Sequence, residues 1–182
     1  MLHWIEGLPI SEWIATGDWG YPILLSVHSM GMAIVVGILV MFDARLLGAA
    51  KILPLSIFER LVPIAWFGFV LNLCSGTLLF MSMAPRLAVN WPFLSKLTAV
   101  VVGGIVTWFV WRSVRADAAA AGGALGDLDG IEGGAVALGC PAISRRTRSL
   151  AILSLVVWFA AILFGRLIAY VLDAALLSGQ LS

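Results

Sequence analysis

The chain has 182 residues, 62% hydrophobic and 12% charged, with a mean hydropathy of +1.05 and a net charge of +1. Soluble domains run nearer roughly 45–50% apolar and about 25% charged, so a soluble globular domain is excluded. Nothing basic stands out beyond what membrane topology needs, so nucleic acid is not an expected partner. Cys74 and Cys140 make no CxxC spacing, which indicates neither a disulfide framework nor a zinc site.

Residues 1–19 are short and aromatic, with Trp4, Trp13 and Trp19 among Glu6, Glu12 and Asp18. Tryptophan favours the membrane–water interface. The spacing predicts a short surface helix from Pro9 with Ser11 as a possible cap. No Lys or Arg precedes the first apolar residues, as a cleavable signal would need, so this segment is expected to be retained.

The first span is expected at about 21–45. Residues 22–42 contain no Asp, Glu, Lys or Arg, and about 20 apolar residues cross roughly 30 Å of hydrocarbon. It carries His28 and ends at Asp43-Ala44-Arg45. The second span, about 61–82, has Pro63 in its first turn, where proline is tolerated. Gly68, Asn72 and Gly76 recur every four residues on one face. Small residues at that spacing let helices approach closely, and Asn72 there needs an interhelical partner. A short loop, 83–92, leads to the third span, about 92–113, with Lys96 near its start and Gly103, Gly104 and Thr107 further in. A Gly/Ala-rich loop at 116–142 has the composition of an unstructured segment. Its acidic run Asp127–Glu132 lacks the spacing of a calcium loop. The fourth span, about 149–172, holds Arg166.

The expected fold is therefore all-α: one membrane domain, a four-helix transmembrane bundle preceded by an interfacial segment. Arg45, Lys51, Arg60, Arg112, Arg115, Arg145, Arg146 and Arg148 flank the spans on one side, and only Arg86 does on the other. The positive-inside rule puts both basic loops in the cytoplasm. Both termini then face outward, which is the periplasm for a bacterial inner membrane protein.

In that topology His28 lies seven residues from Tyr21, Lys96 five from Trp91 and Arg166 seven from Asp173. At about 1.5 Å per residue all three sit in one layer, with Asn72 slightly deeper. Intramembrane ionisable residues are functional-site candidates by default, and two cations at one depth call for an anionic or strongly accepting group. Haem b is one answer: His28 as axial ligand, Lys96 and Arg166 for the propionates, and Gly31 leaving room for the macrocycle. A small anionic or quinone-like ligand on Lys96, Arg166 and Asn72 is another. Copper on His28, Cys74, Met81 and Met83 is a third. The expected function is a haem-binding redox or electron-transfer subunit; the alternatives are a non-redox binding or transport component for a small anionic ligand or copper, and a structural membrane subunit. The first would work beside another membrane or periplasmic redox or metal-handling protein. No Ser–His–acid set and no paired intramembrane carboxylates appear, which gives hydrolysis or acid–base chemistry within the membrane little support.

Leu25-Ser-Val-His28-Ser-Met-Gly31, Trp91-Pro-Phe-Leu-Ser-Lys96-Leu and Phe164-Gly-Arg166-Leu-Ile-Ala-Tyr170 resemble an uncharacterised family of short bacterial four-span membrane proteins. More distantly, the pattern is similar to the CopD-type copper-resistance membrane domain and the HemJ-type protoporphyrinogen oxidases. The latter resemblance implies haem b, with the ligand mapping onto His28 and a helper role onto Lys96. Thr107 and Trp108 stand where those proteins carry a further intramembrane histidine.

Overall fold

The computed structural model describes residues 4, 6–49, 53–126 and 143–177. The acidic run at 127–132 and Cys140 lie outside them. The elements are α1 (Pro9–Thr16), α2 (Gly20–Leu47), α3 (Ser56–Ser82), α4 (Ala84–Ala88), α5 (Trp91–Gly126) and α6 (Arg145–Leu177). Helices α2, α3, α5 and α6 are each long and apolar enough to cross a membrane. The expected all-α four-helix bundle of an integral membrane protein is what the chain forms.

Several boundaries differ from the expected ones, for local reasons. Pro9 starts α1 and Leu8 is its N-cap, so Ser11 lies inside the helix and caps nothing. Residues 83–92 hold the short helix α4, with proline in its first turn. Helix α3 starts five residues early, which puts Pro63 in its interior. The carbonyl that loses its partner there belongs to Glu59, on an exposed turn where water can replace the bond. Helix α5 runs through Ala116–Gly126. Alanine is the strongest helix former and carries the helix on past the last large apolar residues.

Asp43 and Arg45, at the expected end of the first span, are 2% and 3% exposed. Asp43 bonds to Ser154 of α6, and Arg45 Nε donates to the Leu53 carbonyl at 2.5 Å. Helix α2 then stops because Gly48 takes φ 95°, a left-handed conformation that glycine adopts without a Cβ clash. The Ala49 N–H closes back on the Ala44 carbonyl at 3.0 Å, as in a Schellman turn.

Helix α2 packs along α3 and α6, and α5 packs along α6. The four spans form an arc in the order α3, α2, α6, α5, and its two ends, α3 and α5, do not pack along each other. The half nearest the α2–α3 and α5–α6 connections is solid. There Phe42, Leu46, Phe58, Val106, Val110 and Ala151 join all four helices in one cluster. Above it, Val35, Val36, Trp158 and Ala161 form a second layer. The Trp158 ring lies against Gly103, and its Nε1–H donates to Thr107 Oγ1 at 3.2 Å.

The start of α6 is tied to the end of α5. Ser144 is the N-cap, its Oγ accepting the Thr147 N–H at 3.2 Å. Asp117 Oδ2 accepts from the Ser144 N–H at 3.0 Å and from Thr147 Oγ1 at 2.8 Å. Ser144→Ala is expected to cost about 1 kcal/mol, the usual loss for an N-cap serine. Thermal unfolding of the detergent-solubilised protein would show it as a lowered midpoint.

Candidate functional site

The other half of the bundle, towards α1 and α4, is hollow. A cavity of about 490 Å³ lies between α2, α3, α5 and α6, closed over by Met83 and by Leu87 of α4. Its wall is apolar (Leu25, Phe69, Leu79, Phe93 and Val100 among others), and within it Asn72 and Lys96 bond to His28.

The small-residue face of α3 makes that gathering possible. A Cβ built on Gly31 would come within 2.9 Å of the Asn72 nitrogen and of the Gly68 oxygen, both backbone atoms. Helices α2 and α3 are therefore in direct backbone contact. At that distance Asn72 Nδ2 donates to the His28 carbonyl at 2.8 Å, which is the interhelical partner the residue requires. Gly76 seats the imidazole: a Cβ there would stand 2.9 Å from His28 Cε1 and 3.3 Å from Nδ1.

Both ring nitrogens of His28 are engaged. Lys96 Nζ, arriving from α5, lies 3.2 Å from Nε2. An ammonium can only donate, so Nε2 accepts and Nδ1 carries the ring proton. Nδ1–H then donates to the Asn72 carbonyl at 3.1 Å, with Ser75 Oγ equally close. Ser75 is held in turn by the Leu71 carbonyl at 2.6 Å. The lysine stem crosses α6 at Gly165, where a Cβ would come to 3.5 Å from Cδ, Cε and Nζ.

Arg166, the next residue on α6, also lines the cavity. Its side chain is exposed. Among the described residues Lys96 and Arg166 are the charged side chains of the lining, which holds no Asp or Glu. The structure thus brings His28, Lys96, Asn72 and Arg166 to one site, as their depths predict.

Gly31 behaves otherwise. It makes no room for a macrocycle because the α3 backbone fills that space. A haem iron on His28 would meet Lys96 Nζ 3.2 Å from Nε2, so ligation through that nitrogen would displace the lysine. Copper finds no assembled set: Met83 reaches the cavity, but Cys74 and Met81 are not among its lining residues. Among the described residues no group of three or more His, Cys, Asp or Glu side chains is placed to hold a metal ion.

Sequence reasoning missed Ser75, Gly165 and the seating role of Gly76. Gly76 belongs to the visible four-residue stripe, but a stripe does not say which side chain fills the gap. Gly76→Ala is expected to push the imidazole off both partners, costing about 1–3 kcal/mol as overpacking does. The ¹⁵N spectrum of labelled histidine would report it, through loss of the pattern of one protonated and one accepting ring nitrogen. No family model, no curated protein and no solved structure matches this chain.

Proposed function

We propose that this protein is a non-redox binding component of the bacterial inner membrane, holding a small amphiphile with an anionic head between its four spans. The observation that carries the reading is the charge imbalance of the cavity. Among the described residues its apolar wall bears two cations, Lys96 and Arg166, and no carboxylate. A cation in the hydrocarbon region is costly, by about 2.5–3.5 kcal/mol on insertion scales. Two facing one cavity are best explained by an anion that sits between them. Lys96 has three donors, one of them on His28, and Arg166 offers a planar fork suited to oxyanions. The cavity volume falls within the ~300–1,000 Å³ of ordinary ligand pockets. With the basic loops in the cytoplasm, the hollow half of the bundle faces the periplasm.

The test holds the tail constant and changes the head. Decanoate, decanol and decyltrimethylammonium are added in turn to the purified protein below their micellar concentrations, and the unfolding midpoint is followed. A ligand that binds the folded state stabilises it by RT ln(1 + [L]/Kd). Decanoate is expected to raise the midpoint and the other two to leave it unchanged. An equal response to all three would mean that the cavity recognises only the alkyl chain. A Soret band in the purified protein that His28→Ala removes would overturn the non-redox reading.

A further inference from the structure

The exposed lining residues of the cavity do not all lie at its membrane-surface end. Leu73 of α3 is 57% exposed and Leu97 of α5 is 54% exposed, and both line the cavity. They lie on α3 and α5, the two ends of the arc, which do not pack along each other. The seam between these two helices is pinned above and below. Phe80 of α3 stacks on Phe93 of α5 with centroids 5.4 Å apart and planes 14° from parallel. At the lower end, Phe69 and Val100 pack on the second core layer. From Phe69 to Phe80 is about 16 Å along α3 at 1.5 Å per residue. Within that length the cavity meets the surface at the depth of Leu73 and Leu97, which is hydrocarbon and not water.

From this geometry we infer that the cavity is filled sideways from the bilayer, through the window between α3 and α5. Its occupant is a single-chain lipid-like amphiphile with a carboxylate or phosphate head. This rests on the anionic-ligand reading above. The head lodges between Lys96 and Arg166, and the tail lies against Leu73, Leu97 and Phe69 with its end free to extend into the membrane. One small amphiphile suits the size: about 490 Å³ lies within the ~300–1,000 Å³ of ordinary single-ligand pockets. The opposite seam, between α2 and α6, also has exposed lining at Tyr21 and Leu25, 37% and 42% exposed. It is narrower as a route because α2 and α6 pack on each other through the second core layer.

The experiment measures exchange in lipid nanodiscs. The probe is cis-parinarate, read by energy transfer from the native tryptophans and displaced by excess oleate or by dodecyl phosphate. Leu73→Phe with Leu97→Phe narrows the window; Leu25→Phe with Ala169→Phe narrows the other seam. All four residues line the cavity, so both pairs can weaken affinity alike. The window pair is expected to slow both uptake and release at least tenfold more than the α2–α6 pair does. Which displacer acts at the lower membrane fraction assigns the head as carboxylate or phosphate. If only the α2–α6 pair slows exchange, or neither pair does, lateral entry between α3 and α5 is overturned while the ligand class stands. If neither displacer competes with the probe, the anionic-ligand reading itself fails.

Discussion

Lys96→Met is expected to abolish the decanoate-dependent rise in unfolding midpoint while leaving the ligand-free protein at least as stable as wild type. The two effects have opposite signs for one reason. Lys96 Nζ lies in the hydrocarbon region with one hydrogen-bond partner among the described residues, His28 Nε2 at 3.2 Å. Removing that charge relieves an insertion cost of about 2.5–3.5 kcal/mol. Against this stands one lost hydrogen bond, worth about 1.5–3 kcal/mol when a charged group takes part. The ligand loses the centre of its anion site. Truncating one partner of a buried, hydrogen-bonded charge pair costs about 2–5 kcal/mol of binding, which is roughly thirtyfold to several thousandfold in affinity. Midpoints with and without decanoate give both quantities in one series. If Lys96 serves only to hold α5 against α2, the variant is less stable and decanoate has the same effect on both proteins. That result would remove the binding role. His28→Ala separates the positions further. It leaves the ammonium in place, so binding is expected to weaken less than in Lys96→Met.

The spans were legible because their signal is cumulative. Long runs without charge define α2, α3, α5 and α6 whatever their exact packing. The layer of His28, Lys96, Arg166 and Asn72 was legible for a related reason, since depth in a membrane follows from counting residues at a fixed rise. Boundaries were less so. Asp43 and Arg45 stand at the end of an apolar run, yet they are buried, because Ser154 of α6 and the Leu53 carbonyl of the adjoining connection supply partners. The Ala116–Gly126 turns look like loop by composition, although alanine favours helix when nothing opposes it. Which face a small residue serves was not legible at all. Gly31 and Gly76 lie on different helices, and only packing shows that the first meets backbone and the second meets the imidazole.

That difference gives the second large effect, expected in a pair of single-methyl changes on α2. Gly31→Ala should destabilise the protein by about 1–3 kcal/mol or more, the range for overpacking a close contact, whereas Gly37→Ala should be neutral or stabilising. Both glycines lie in the middle of one helix, where alanine is intrinsically favoured by about 1 kcal/mol. A Cβ on Gly37 meets nothing within 4 Å, but one on Gly31 meets the Asn72 nitrogen and the Gly68 oxygen at 2.9 Å each. Backbone atoms cannot swing aside as a flexible side chain can, so α2 and α3 must separate. Separation stretches the Asn72 Nδ2 bond to the His28 carbonyl, 2.8 Å in the native packing, and draws the imidazole away from the Asn72 carbonyl. The anion site should therefore loosen together with the fold, and decanoate binding should weaken in Gly31→Ala but not in Gly37→Ala. Thermal unfolding of the three proteins, with and without decanoate, decides the matter. A Gly31→Ala protein as stable as wild type would show that the two backbones are not in contact, and that the face around Gly31 has room for a ligand after all.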